Sequence, residues 1–489
     1  MRLTASDLYT YHLPSRCELR PYLKANAVEP SPPGPFEEVL RTLGKRHERQ
    51  HLESFADVVN LSSGTLEERT ERTIEEVGRS APAIYQAVLR AETVLNGVTI
   101  EILGEPDFLL RGSDGYVIRD CKIARRITEA DHPEIRRQLE LYGWLYENTF
   151  GKPPIRLEVF SGTGELEPIP YDGGTAALAE LGIVHALTGS SEEPFSPVGW
   201  SKCQPCGYSK RCWPAAEQRH DVAVIYGVDQ GLVRELRDQG VSSYDKLIST
   251  FDEKTLAALK RPWGSGTQKV GKRAGGILTM ARAMERGGAI LLQPPDIPEV
   301  PNYVMFDLEG MPPHLDEVDK IYLWGTQVFG DKPSEYHAAL SNFGEDGDRE
   351  GWESFLGKAA RIFSEYGALP FVHWHHYEKS KINLYIDRYG DPDGVAGTVL
   401  DNLLDLLPVT QRSIALPVSS YSLKVIEKYV GFKRTQDEFG GEWSMAKYIE
   451  ATETEDEALR SEVMDSIVTY NREDLAATWA VLEWLKSHV

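Results

Sequence analysis

Three groups of side chains have types and spacings suited to chemistry. In the first, Gly104-Glu105-Pro106-Asp107 precedes a short apolar run, a turn is expected at Gly112 to Gly115, and Tyr116-Val117-Ile118-Arg119 leads into Asp120-Cys121-Lys122. The pattern predicts a hairpin carrying carboxylates on two neighbouring strands. Hard cations such as Mg²⁺ or Mn²⁺ prefer carboxylate oxygens, and phosphodiester hydrolysis needs one to polarise phosphoryl oxygens and generate hydroxide. Asp107 and Asp120 could hold the ion, with Lys122 beside it to position water or offset charge. In the second group, Cys203-Gln204-Pro205-Cys206 and Cys212 form C-x₂-C-x₅-C in a stretch that Pro205, Gly207, Ser209 and Pro214 mark as a loop. Closely spaced thiolates suit zinc or iron-sulfur, and a fourth ligand must come from elsewhere. In the third, Asp307 and Glu309 fall on one face of an expected strand, because strand side chains alternate, while Tyr470 and Asp474 stand one helical turn apart far downstream.

The elements that must position these groups follow from composition and periodicity. The chain has 489 residues, a length that suggests about three domains, and 41% hydrophobic residues, enough for their cores. Residues 1–215 mix charged helical stretches with short apolar runs and end at the cysteines. Residues 216–295 read as short helices joined by glycine turns. The run Gln293-Pro294-Pro295-Asp296-Ile297-Pro298-Glu299-Val300-Pro301 interrupts helix and strand alike, so a third domain is expected over 296–489. Within it, strands are expected at Tyr303 to Phe306, Ile321 to Trp324 and Leu369 to Trp374, and helices at Gly351 to Tyr366 and Ala458 to Val489. Strands mixed with helices indicate an α/β fold. The 53 basic and 75 acidic residues give a formal net charge of −22, which argues against a protein that coats nucleic acid or anionic membrane indiscriminately. No apolar run is long enough to span a bilayer, and the first residues lack a signal-peptide pattern, so a cytoplasmic protein with no membrane partner is expected.

Upstream of the first group, Leu43-Gly44-Lys45-Arg46-His47-Glu48 lies on a helical pattern; downstream, Gln138 and Tyr142 lie four apart on one helix face. In this order the segments resemble the RecB-like branch of the PD-(D/E)xK nuclease superfamily. The resemblance implies a restriction-endonuclease-like domain over 1–215, with His47, Asp107 and Asp120 as metal ligands and Lys122 as the catalytic lysine. It also implies that Gln138 and Tyr142 orient the lysine or the DNA. Some members staple this domain around a 4Fe-4S cluster with one cysteine before the core and three after. Cys17, Cys203, Cys206 and Cys212 match that arrangement, with a structural Zn²⁺ as the alternative, and Cys121 is left over.

The third group resembles the RNase H-like 3′-5′ exonucleases, which use four acidic residues and two metals. By that resemblance Asp307, Glu309 and Asp474 hold metal and Tyr470 orients the water. The fourth acid falls to Glu378 in Val372-His373-Trp374-His375-His376-Tyr377-Glu378, where the family usually has aspartate, with Asp405 as the fallback. The three histidines are expected to line the site or the strand surface. Between the two domains, residues 222–290 resemble a helix-hairpin-helix element, and Lys254 to Met284 carries seven basic residues and no acidic one. That local reversal of charge suits phosphate binding, with a connecting helical module carrying a solvated basic face as the alternative. Gly266 to Arg273 nearly spells a P-loop, but Arg273 replaces the Ser or Thr that binds Mg²⁺, so no ATPase is expected. The expected function is a metal-dependent exonuclease acting on single strands or ends of DNA in repair, recombination or defence, alone or beside a separate helicase. The alternatives are a nucleic-acid-binding scaffold with one or both acidic sites inactive, and an RNA exonuclease acting through the C-terminal site.

Overall fold

The computed structural model describes residues 2–13, 16–128, 132–264, 266–311, 319–342, 344–437 and 440–487. They form an α/β protein whose contacts gather into two compact units. The first comprises Met1–Pro32, Leu40–Gln218 and Pro262–Gln268; the second comprises Pro33–Val39, Arg219–Arg261 and Lys269–Val489. No helix among the described residues is long and apolar enough to cross a membrane.

The first unit is built on a six-stranded mixed sheet in the order Val59–Asn60, Ala83–Tyr85, Phe108–Arg111, Tyr116–Cys121, Arg156–Phe160, Leu166–Ile169. Phe108–Arg111 and Tyr116–Cys121 pair antiparallel, and the Gly112 amide closes their turn on the Gly115 carbonyl at 2.8 Å, as the sequence pattern predicts. Tyr116–Cys121 then runs parallel to Arg156–Phe160, which requires a crossover; the helix Pro133–Phe150 supplies it. Pro133 opens that helix with a pre-set φ, and Gly151 ends it in the left-handed conformation at φ +72°. Leu139, Leu145 and Tyr146 of the helix pack on Leu109, Ile118 and Leu157 of the sheet. Burying each such side chain is worth about 1.5–3 kcal/mol. A smaller sheet of Arg2–Thr4, Val98–Gly104 and Leu89–Leu95 completes the unit.

The second unit centres on a five-stranded sheet in the order His337–Leu340, Lys320–Gly330, Asn302–Met311, Phe371–His373, Leu403–Asp405. The first three are antiparallel and the last two join in parallel. Alternation along Asn302–Met311 sends Val304, Phe306 and Leu308 into a core with Trp324, Trp352, Phe355 and Phe371. Met311 falls on the opposite face, in a core with Tyr448, Val463 and Ile467 of the helices Gly441–Glu453 and Glu457–Lys486. Asp307 and Glu309 share that second face, so the final helix meets them.

Several elements differ from the sequence expectation. The strand expected over Leu369 to Trp374 is confined to Phe371–His373, because Pro370 has no amide to donate and contributes only its carbonyl, which accepts from Val304. The helix expected from Gly351 begins at Gly344. In the middle segment, Lys260–Trp263 and Gly266–Lys269 form a two-stranded sheet, and the helices are Gln230–Asp238, Tyr244–Thr250, Glu253–Ala258 and Ala274–Arg286. Ile290–Leu291 pairs antiparallel with Ile414–Ala415, which ties the helical segment to the C-terminal strands within one unit.

Candidate active sites

In the first unit, Asp107 immediately precedes Phe108–Arg111 and Asp120 stands near the end of the paired strand. The Cys121 amide donates to Asp107 Oδ2 at 2.7 Å and the Asp107 amide to Asp120 Oδ1 at 3.3 Å, while Lys122 Nζ lies 2.7 Å from Asp120 Oδ2. Burial and the Asp120 charge push Asp107 well above the usual carboxylate range. Burial alone would favour a neutral Lys122, but Asp120 and Asp107 outweigh it and keep the ammonium charged. Gln138 hydrogen-bonds Tyr142, whose phenol is pushed up by burial and then by Asp120 and Asp107. The structure thus brings Gln138 and Tyr142 to the carboxylates, and the buried Gln138 Oε1 has no partner among the described residues.

His47 is placed differently. Its Nε2 meets the Phe160 carbonyl at 3.1 Å, the same oxygen that accepts from the Lys122 amide at 3.0 Å, and its ring stacks on Phe160. It braces the Asp-x-Lys strand, and it joins no three-ligand group with Asp107 and Asp120. Its neighbour Glu48 reaches the carboxylates instead: Gln86 Nε2 donates to Glu48 Oε1 at 2.8 Å and to Asp107 Oδ1 at 3.1 Å. Tyr85 also donates to Glu48 Oε1, at 2.7 Å. The adjacency of Glu48 to His47 was the available sequence signal. A second residue missed from sequence is Tyr9, whose ring centroid lies 5.3 Å from Lys122 Nζ.

In the second unit, Asp307, Glu309 and Asp474 each present an oxygen, and these three lie within 4.8 Å of one another. Asp307 Oδ2 accepts from Asn471 Nδ2 at 2.7 Å, and Glu309 is hydrogen-bonded by Ser444 and Asn471. Burial and then Asp474 push Glu309 up to about 8, and burial, Asp474, Glu309 and Glu378 push Asp307 well above its usual range. Asp474 Oδ1 contacts both Lys424 Nζ and Arg434, and Arg434 also makes two hydrogen bonds of 2.7 Å to Glu427. Tyr470 packs against this cluster with Lys424 Nζ 4.3 Å from its ring centroid, and burial, then Asp474, keep its phenol protonated.

The fourth acid stands apart. Glu378 is near enough to raise Asp307, but its Oε2 is hydrogen-bonded to His373 Nδ1 at 3.0 Å and it lies outside the three-carboxylate group. The fallback, Asp405, is committed to backbone: its Oδ1 accepts from the His375 amide at 2.9 Å and from the Leu407 amide at 3.1 Å, capping the helix Leu406–Ser413. Both groups of buried, mutually repelling carboxylates are donor sets that suit a hard divalent cation, which would relieve the charge that burial disfavours.

Cys17, Cys203, Cys206 and Cys212 line one cavity with Leu19, Arg20, Ser196 and Tyr208, whereas Cys121 lies in the strand beside Asp120. Burial and neighbouring sulfurs raise the thiols of Cys203 and Cys212, the latter to about 12, so bare thiolates are disfavoured there. Among the described residues no three of these sulfurs lie within 4.8 Å of one another.

The basic run of the middle segment is partly neutralised. Arg261 is buried with its Nε 2.7 Å from Asp229 Oδ2, and Arg273 donates to the same oxygen at 2.7 Å. These two of the seven cations therefore stabilise the fold.

Residues 24–213 match the model of the PD-(D/E)XK nuclease superfamily, and residues 304–486 match that of the RNase H superfamily. No curated protein matches the sequence. A solved structure titled "Crystal structure of SSO0001" is 16% identical, covers 36% of this chain and 97% of that chain, and has a TM-score of 0.20.

Proposed function

We propose that this chain, with its PD-(D/E)XK nuclease superfamily domain and its RNase H superfamily domain, is a metal-dependent exonuclease acting on single strands or ends of DNA. A role in repair, recombination or defence goes with that chemistry. The observation that carries the reading is the gathering of acidic side chains in each unit: Asp107 and Asp120 with Lys122 in one, Asp307, Glu309 and Asp474 in the other.

Mg²⁺ or Mn²⁺ bound by these carboxylates would polarise a phosphoryl oxygen and lower the pKa of a bound water. In the first unit, Asp107 and Asp120 would hold the ion with Glu48 close by. The charged Lys122 Nζ steadies Asp120 Oδ2 and offsets charge developing on the phosphate, and Gln138 hydrogen-bonds Tyr142 beside the carboxylates. In the second unit, Asn471 fixes the orientation of Asp307, and the Tyr470 hydroxyl keeps its proton and so can orient a water. Cys17, Cys203, Cys206 and Cys212 would hold a 4Fe-4S cluster that ties the start of the first unit to its end, a staple rather than a reacting centre.

One observation favours a second reading for the C-terminal unit alone. The hydrogen bond between Glu378 and His373 removes the fourth acid from the cluster, which suits strand binding without cleavage. The test is cleavage of end-labelled single-stranded DNA, duplex DNA and single-stranded RNA by the full chain, with Mn²⁺ and with chelator, beside Lys122→Ala and Asp307→Ala. The reading expects metal-dependent shortening of DNA from an end, slowed by either substitution. Shortening that survives Lys122→Ala but not Asp307→Ala would confine activity to the second unit, and no cleavage of any strand would leave binding as the better reading.

A further inference from the structure

We propose that Lys424 supplies the second positive charge of the C-terminal acidic site, so that this site takes one divalent cation and the lysine ammonium stands where a second would be. The proposal rests on the reading of Asp307, Glu309 and Asp474 as metal ligands.

Lys424 lies on the helix Leu423–Tyr429, and its side chain is only 26% exposed. Its ammonium contacts Asp474 Oδ1 and lies 4.3 Å from the centre of the Tyr470 ring, whose face attracts a cation. It also lies near enough to the other two acids to oppose the upward push on both Asp307 and Glu309, so one ammonium acts on all three carboxylates. Arg434 does not play this part: its charge is matched by Glu427 through two hydrogen bonds of 2.7 Å.

Charge balance then decides the stoichiometry. Three carboxylates and one ammonium leave two negative charges, which a single divalent ion neutralises. A second ion would leave net positive charge at a buried site, where unbalanced charge is costly, and would have to displace Lys424 from Asp474 Oδ1. The fourth carboxylate that could offset it, Glu378, is engaged by His373 at 3.0 Å.

The test is the number of Mn²⁺ ions bound by the full chain, counted from the loss of free-ion signal in electron paramagnetic resonance. Wild type should bind one more ion than Asp307→Asn, with no exchange-coupled Mn–Mn spectrum. Lys424→Met, similar in length but uncharged, should bind one more ion than wild type and gain that coupled spectrum, and Lys424→Arg should return the wild-type count. A difference of two between wild type and Asp307→Asn would overturn the role of Lys424 while preserving the metal site. No difference would overturn the metal site and the proposal together. An unchanged or lowered count in Lys424→Met shown by circular dichroism to be folded would also overturn the proposal, and the comparison of wild type with Asp307→Asn stands even if Lys424→Met does not fold.

Discussion

Gly325 faces Asp307 across the antiparallel strand pair, and the place its Cβ would occupy belongs to Asn471, whose Oδ1 lies 1.8 Å from that point. The missing side chain lets the final helix bring Asn471 down onto the sheet, where Nδ2 donates to Asp307 Oδ2 at 2.7 Å and Oδ1 accepts from the Tyr336 hydroxyl at 2.9 Å. A glycine on one strand thereby sets the orientation of a carboxylate on the next.

Gly325→Ala should therefore act on the metal site without touching a carboxylate. Overpacking of this kind costs about 1–3 kcal/mol. Loss of a hydrogen bond that orients a ligand weakens metal affinity roughly 10–100-fold. Mn²⁺ titration of the variant should show that loss, and an unchanged affinity would mean that Asn471 does not orient Asp307.

The cysteines predict a colour. Anaerobically purified protein should be brown and carry iron with the visible charge-transfer absorption of an iron-sulfur centre. Cys17→Ser should bleach it as completely as Cys206→Ser, because all four residues line the same cavity. Stoichiometric zinc without iron would refute the cluster and retain the ligand set; full colour in Cys17→Ser would refute the ligand set.

His51 gives a pH dependence. Its ring stacks on Phe160 with centroids 3.9 Å apart and its Nε2 faces Arg119 at 3.0 Å; burial and the Arg119 charge lower it to about 4. In the unfolded chain it titrates near 6.5. Between these values the unfolded state binds more protons than the folded state, so the contribution of His51 to stability is present above about 6.5 and is lost as pH falls toward about 4. Melting temperatures of wild type and His51→Gln should converge as pH falls through that window, and parallel curves would contradict the assignment.

The parts of these sites visible in the sequence are those fixed by local rules. A turn at Gly112 to Gly115 and strand alternation suffice to put Asp107 and Asp120 on paired strands, and helical spacing suffices for Gln138 and Tyr142. The residues that complete the sites obey no local rule. Glu48, Lys424 and Arg434 are charged residues on or beside helices, where one solvated face reads like another, and only packing shows that Gln86 links Glu48 to Asp107 and that Lys424 and Arg434 meet Asp474. One-turn spacing selects Tyr470 and Asp474 and gives no mark to Asn471, which also turns toward the sheet. The basic run is less positive in the fold than in the sequence for the converse reason: Asp229, which takes up Arg261 and Arg273, lies upstream of Lys254.

The central claim, that both acidic clusters cleave phosphodiesters, is tested most directly by Mn²⁺-dependent degradation of end-labelled single-stranded DNA by Asp120→Asn, Asp307→Asn and the double variant, each shown by circular dichroism to remain folded. Removing a residue that stabilises the transition state costs on the order of 10²–10³ in rate. The account predicts a partial loss in each single variant and no detectable cleavage in the double variant. Wild-type cleavage by the double variant would contradict it.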